Sequence, residues 1–529
     1  MKRLRLLLSL GALMYLHTGV TQIPPPTDPL VDNYIQTTWN ALTRTHANLL
    51  EAMVDAKFPI PKGAKPILYV SQQENLVRIK HKLSQELPAA TLAQIDIAPL
   101  PQNLSQIKQQ GLLYLPYPYV VPGGRFTELY GWDSYFIILG LLQDGRVELA
   151  KNMVDDLIYE VQYYGKILNA NRSYYLERSQ PPLLTEMILA VYAHTHDKAW
   201  LAQSLPSIIK LYHFWTSPPH LDATTGLSRY YAFGNGPAPE VVSSENYYEP
   251  AKRFYRTQTI HAYAVKRFYN AKTDTLTPDF YKNDRSMRES GFDISDKYGP
   301  MSALITDFVS VDLNTLLYQT ELDTAHIYQI LGQNFKSEHW QKLAEQRKER
   351  INYYFWDPAL GLYFDYNMHT HRIYPYIFAT TFYPLWAGIA SQQQARRIVQ
   401  NLPVFETQEG IVTSAYVTGY QWDAPYGWAP LQYFAVKGLA RYGYCKEAER
   451  IAANFIRTVN TGFMRTHEIF EKYDLRASNA PEHTYIKYGY NKNQAGFGWT
   501  NGVYLELQQF LHSPKLWCMR PINGTRPSK

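Results

Sequence analysis

Two acidic stretches far apart in the chain could act on one bond. The first, "SMRESGFDISDKYGP" (286–300), crowds Glu289, Asp293 and Asp296 around Ser290-Gly291, flanked by Arg288 and Lys297. A carboxyl beside Phe292 is open to partial desolvation, which favours its protonated form and suits a general acid. The second, "EIFEKYDL" (468–475), carries Glu468, Glu471 and Asp474. A carboxylate from this region could face Asp293 across a pocket, with Glu468 left as a solvated surface acid. Paired carboxyls in those two states are what hydrolysis of a glycosidic bond requires. Read alone, the first loop serves equally as a helix cap around Ser290, and the second as a solvated helical surface.

Other loops supply hydrogen-bonding and aromatic groups. "PGGRFTELYGWDSYF" (122–136) offers Gly123-Gly124, which permit close backbone approach to a ligand, then the donor fork of Arg125 and the adjacent Trp132 and Asp133. An Arg125–Glu128 ion pair at i, i+3, anchoring a helix start, accounts for the same residues structurally. "LNANRSYYLERSQPP" (168–182) interleaves Asn169, Arg172, Arg178 and Gln180 with Tyr174 and Tyr175. "GNGPAPEVVSSENYYEP" (234–250) carries Glu240 and Glu245 in a tight-turn setting. "GYQWDAPYGWAPLQYF" (419–434) builds a rigid aromatic wall with Trp422 and Trp428, or a packed turn before a helix. "NQAGFGWTNGV" (493–503) places three glycines around Phe497 and Trp499.

Composition agrees with a sugar ligand. Among 529 residues there are 44 tyrosines and 11 tryptophans, more than a core of this size needs. Flat apolar rings with a polar tip suit ligands that are part apolar and part hydroxyl. With 46% hydrophobic and 19% charged residues the chain is globular. The net charge is +6, but Lys2, Arg3 and Arg5 stand at the very start and no long basic run follows, which argues against nucleic acid. That start, "MKRLRLLLSLGALMYLHTGVTQ", has a basic head and a short apolar run. It predicts a secretory signal peptide over 1–21, hence a periplasmic or secreted location with no membrane anchor once removed. Cys445 and Cys518 leave one disulfide or two thiols open. No Cys/His spacing suggests a metal, and no Gly-rich loop a phosphate cradle.

The elements that must position these loops are helices. Apolar residues recur at three- and four-residue spacing in 199–217, 337–356 (Trp340, Leu343, Ile351, Phe355), 395–402, 431–444 and 446–459. "LGLYFDYN" and "HRIYPY" read as short β-hairpins. Long loops at 165–181, 228–250, 284–300, 415–430 and 470–500 alternate with the helices. A ring of helical hairpins with its loops gathered at one rim explains the alternation. A helical solenoid does not, because no fixed period repeats. Boundaries follow: an N-terminal helical arm over 22–67, one domain over 68–512, and an irregular tail over 513–529.

Taken together, the loops resemble the trehalase family. "PGGRFTELYGWDSY" and "QWDAPYGWAP" are similar to its two signatures, and "NANRSYYLERSQPP", "RESGFD", "EKYD" and "GFGWTNGV" match as well. The resemblance covers about residues 30–510. It implies an all-α fold, an (α/α)6 barrel, and inverting hydrolysis of α,α-trehalose to glucose. By position it implies Asp293 as general acid and Glu471 as the base that activates water. It implies substrate binding by Arg125, Trp132, Asp133, Asn169, Arg178, Ser179, Gln180, Glu240, Arg288, Gly291, Trp422 and Trp428. Ala238 replaces an arginine many members carry before Pro-Glu, and Arg288 is the candidate replacement cation. Tyr490 stands where a lid glutamate falls, with Glu482 as its candidate substitute. Work as a proton donor would require Asp293 to be shielded from Arg288 by distance or burial. The expected partner is a small disaccharide, handled by a monomer without metal or cofactor. Two rivals remain at this level: a glucosidase or phosphorylase on the same barrel, and a sugar sensor that has lost catalysis.

Overall fold

The computed structural model describes residues 28–242, 246–261, 263–476 and 493–518. Twelve helices carry the architecture: α1 Pro29–Leu42, α2 Asp133–Gln143, α3 Val147–Tyr164, α4 Leu184–Thr195, α5 Lys198–Trp215, α6 Val311–Ile330, α7 Asn334–Phe355, α8 Tyr383–Ala387, α9 Gln392–Gln400, α10 Ala429–Arg441, α11 Cys445–Thr466 and α12 Gly498–His512. The even-numbered helices form a closed ring, α2 against α4, then α6, α8, α10, α12 and back to α2. Outside it, α3 packs on α2 and α4, α5 on α4 and α6, α7 on α6, and α11 on α10 and α12. The helix α1, from the stretch read as an arm, packs on α12. This in–out alternation is the (α/α)6 barrel.

Residue type sorts the two layers. The inner helices α2, α6 and α10 are buried nearly all the way round. The outer α7 buries only a stripe containing Trp340, Ala344, Ile351 and Phe355, at the spacing of one helical face. The helix α1 likewise buries Val31, Ile35 and Trp39. Residues 67–113 add something that helical periodicity does not reveal. Ile67–Val70 pairs in parallel with Asp96–Pro99 and with Leu112–Leu113, with the helix Leu76–Glu86 in the crossover. The strands are four residues or fewer, too short for alternation to register. The expected hairpins are present: Trp356–Asp357 pairs with Leu362–Tyr363, and Tyr366–Asn367 with Arg372–Ile373. In the tail, Pro514–Cys518 is a short helix rather than irregular, and Cys518 is disulfide-bonded to Cys445 at the start of α11.

Candidate active site

Inner helices begin at the rim that carries the long loops. Trp132 precedes α2 and Asp133 opens it, Trp428 precedes α10, and Phe497 precedes α12. A short antiparallel pair, β1 (Tyr426–Trp428) and β2 (Lys472–Asp474), joins two of those loops. Between them lies a cavity of about 420 Å³, within the range of small-molecule sites. Asp293 and Glu471 both line it. So do Arg125, Trp132, Asp133, Asn169, Arg178, Gln180, Glu240, Arg288, Gly291, Trp422 and Trp428.

Asp293 follows the helix Pro278–Glu289 and a turn at Gly291. Gly291 has φ +79°, and a Cβ there would stand 3.0 Å from the Trp132 indole. A side chain at this position meets both backbone strain and a clash. The loop is then fastened to the 415–430 loop: Trp422 N–H donates to the Ile294 carbonyl at 3.1 Å, and Gln421 Nε2 to the Asp293 carbonyl. Asp423 completes the joint. It accepts from Ser295 Oγ (3.1 Å), Asp296 N–H (3.0 Å), Tyr376 OH (2.9 Å) and Thr418 Oγ1 (2.7 Å). Asp296 accepts from Met301 N–H at 2.9 Å and so belongs to the loop's own framework.

The Asp293 side chain is 37% exposed, opening into the cavity. Burial pushes its carboxyl up to about 6. Arg288 and Arg178 pull the other way, and Glu471 pushes it up further. Distance does not shield Asp293 from Arg288: Arg288 Nη1 lies 4.0 Å from Asp293 Oδ2. Desolvation outweighs that cation, in part because Arg288 is engaged elsewhere. It donates to both Asp284 oxygens (3.1 and 3.2 Å) and to Tyr247 OH (3.0 Å).

Glu471 is held from several sides. Its N–H donates to the Gln494 carbonyl at 2.8 Å, and its carbonyl accepts from Trp499 Nε1 at 3.0 Å. Lys472 Nζ donates to its Oε2 at 3.0 Å. Glu468, three positions earlier, is exposed as expected. A third carboxyl shares the cavity. Asp133 is 5% exposed, and burial, with smaller contributions from Glu471 and Asp293, pushes it up to about 8.

The remaining wall is polar and cross-braced. Arg178 donates twice to Asn169 Oδ1 (2.8 and 2.6 Å) and once to Glu240 Oε1 (2.5 Å). Glu240 also has Arg288 Nη1 at 3.9 Å. Burial acts to raise the Glu240 carboxyl, but Arg178 and Arg288 prevail and lower it to about 2. Gln180 Oε1 accepts the Trp132 N–H at 2.9 Å, which fixes the start of α2. Trp422 and Trp428 stack on each other, with centroids 3.8 Å apart and planes 4° from parallel.

Four expectations change. Ser179 does not line the cavity. Its hydroxyl donates to the Ile167 carbonyl at 2.6 Å and its N–H to Glu289 Oε1 at 3.2 Å, so it braces the wall from behind. Glu289 is fully buried in that brace, not poised for chemistry. Glu128 accepts from Arg172 Nε at 3.0 Å, instead of forming the helix-start pair expected with Arg125. Gly123 and Gly124 make room for protein: a Cβ on Gly123 would fall 2.3 Å from the Gly496 carbonyl, and one on Gly124 2.5 Å from Gln494 Oε1. Residues 490, 482 and 245 lie outside the described residues. Missed altogether were Asp55 and Lys57, which reach the cavity from beyond α1, with Tyr130 and Tyr247. Lys57 Nζ donates to Tyr130 OH (3.3 Å) and Tyr175 OH (3.4 Å). Only the tyrosines interleaved with Asn169 and Arg178 carried any hint of this.

A family model described as Trehalase matches residues 27–512. The chain is 37% identical over 539 residues to a Kluyveromyces lactis protein named cytosolic neutral trehalase, covering 90% of this chain and 70% of that one. A Saccharomyces cerevisiae protein of the same name is 34% identical over 538 residues, with 90% and 70% covered. The solved structure of neutral trehalase Nth1 from Saccharomyces cerevisiae aligns with a TM-score of 0.76 at 32% identity, over 94% of this chain and 98% of that one. A mannosylglycerate hydrolase from Thermus thermophilus shares the fold alone, with a TM-score of 0.50 at 18% identity, over 74% of this chain and 96% of that one. The relatives' names overturn the signal peptide and the periplasmic or secreted location read from the first residues, because those relatives are cytosolic. Residues 1–27 themselves lie outside the described residues. The chain belongs to the trehalase family.

Proposed function

We propose that this chain hydrolyses α,α-trehalose to two glucose molecules with inversion, Asp293 serving as general acid and Glu471 as general base. One observation carries the assignment of roles. The two carboxyls line the same cavity in opposite surroundings, Asp293 raised by burial and Glu471 beside a lysine ammonium. That asymmetry separates a proton donor from a proton acceptor. In the reaction Asp293 delivers its proton to the glycosidic oxygen as the bond to the anomeric carbon breaks. A water adds to the opposite face of that carbon, and its proton passes to Glu471. An inverting pair stands about 6.5–9.5 Å apart, leaving room for the water. Asp133, raised above neutrality, acts as a neutral donor to a sugar hydroxyl. Arg125, Arg178 and Arg288 orient hydroxyls through charge-assisted hydrogen bonds.

The test combines two variants with product stereochemistry. Asp293→Asn and Glu471→Gln each lose about 10²–10⁴ in turnover while staying folded, the usual worth of a positioned acid or base. Early proton NMR of the wild type shows α- and β-glucose in equal amounts. Only α-glucose would reject inversion, and near-normal activity in either variant would reject that residue. Turnover in phosphate-free buffer separates hydrolysis from phosphorolysis.

A further inference from the structure

Lys472 is fully buried and is not among the residues that line the cavity. Its ammonium meets Glu471 Oε2 at 3.0 Å. The pairing of β1 with β2 sets Trp428 opposite Lys472, and Nζ lies 5.1 Å from the Trp428 ring centroid. Its carbonyl accepts from Asn493 Nδ2 at 2.7 Å, which fixes its backbone as well. An ammonium out of water is costly, and the strand pair and the indole packing do not need one. A leucine or methionine would fill the same space without that cost. The charge is explained by the carboxylate it touches.

We propose that Lys472 is a positioning residue for Glu471, holding one carboxylate oxygen so that a fixed edge of the carboxylate meets the attacking water. This rests on Glu471 being the base. Lys472 stays protonated throughout and exchanges no proton with substrate. The other charged groups acting around the pair are Arg125 from the 122–126 loop and Asp293. Asp133 at the start of α2 also feels Glu471. Lys472 donates directly to the Glu471 carboxylate, so its removal takes away a close opposite charge. Without that hydrogen bond the carboxylate loses its fixed edge toward the water. The water is then oriented and activated less well, so kcat falls.

The test uses Lys472→Met and Lys472→Arg in the full chain. Lys472→Met lowers kcat about 10–100-fold, part of what a positioned base supplies. KM stays within about threefold, since Lys472 does not face the cavity. Lys472→Arg, which keeps a charged donor, restores part of kcat. A second reading does not depend on turnover: the ¹³C NMR resonance of the Glu471 carboxyl, assigned by its loss in Glu471→Gln, is displaced in Lys472→Met at one fixed pH. Folded Lys472→Met with kcat within about twofold of wild type and an undisplaced carboxyl resonance overturns the proposal. Should Lys472→Met not fold, Lys472→Gln, which keeps a donor without the charge, carries both readings. A wild type that releases no glucose from trehalose sinks the hydrolase reading, while the carboxyl resonance still decides Lys472.

Discussion

The closeness of Arg288 to the proposed acid sets a measurable pH limit on activity. Arg288 Nη1 stands 4.0 Å from Asp293 Oδ2. Two unit charges at that distance attract by about 1 kcal/mol in a water-like medium and about 4 kcal/mol at an effective dielectric of 20. Asp293 opens into the cavity, so the lower part of that range applies, about 1–2 kcal/mol, or about one pH unit. The sign is fixed by charge: the arginine favours ionised Asp293, and removing it leaves burial to act with less opposition. The Asp293 carboxyl, already raised to about 6, rises further in Arg288→Gln. A general acid works only while protonated, so the basic limb of kcat/KM for the free enzyme moves to higher pH by about one unit. The assay is glucose release from trehalose across the pH range, at substrate far below KM. Overall activity falls as well, because Arg288 also braces Glu240, but the position of the limb does not depend on its height. Arg288→Lys, which keeps a cation, returns the limb most of the way. A limb that stays put in Arg288→Gln, or moves to lower pH, refutes the account of how Asp293 is kept protonated.

Gly291→Ala combines a left-handed backbone, costing about 1–2 kcal/mol, with a Cβ 3.0 Å from Trp132. Denaturant unfolding detects that loss, and kcat falls more than tenfold because Asp293 lies two residues on. Ser179→Ala leaves KM for trehalose within about twofold and lowers stability by about 1 kcal/mol, since the lost hydrogen bond faces the Ile167 carbonyl behind the wall. Asp423→Ala removes the joint of the loop that carries Asp293, so kcat drops well over tenfold with a smaller change in KM, read from steady-state glucose release. Glu240 ionises near 2 when folded, so it contributes stability above the unfolded value near 4.5 that is lost as pH falls toward 2. In Glu240→Gln that leg of acid unfolding, followed by circular dichroism, disappears.

Much of the site was legible because its chemistry is carried by short contiguous stretches. Asp293 with Gly291, Trp132 with Asp133, and Arg178 with Gln180 each occupy one loop, and all six reach one cavity. What was not legible depends on the tertiary neighbour. Ser179 sits in the same run as Arg178 and Gln180, yet its peptide faces backward to Glu289, and residue type alone does not say which way a loop side chain points. Gly123 and Gly124 look like a ligand cradle, but the segment they admit is 494–496, which lies at the other end of the chain. Lys57 carries no local signal at all, because the stretch around it reads only as the end of a helix-rich arm. The helices were legible from three- and four-residue periodicity and the barrel from the family resemblance, whereas strands of two to four residues between 67 and 113 left no alternation to read.

The packing of α1 on α12 has a consequence for how the chain is made. A ribosome releases the first helix hundreds of residues before the last, so Val31, Ile35 and Trp39 emerge without the surface that covers them. The ring cannot shut until α12 has emerged, and until then the nascent barrel keeps an open seam. Chaperone occupancy on stalled chains should therefore persist along that seam and end abruptly once residue 512 clears the exit tunnel.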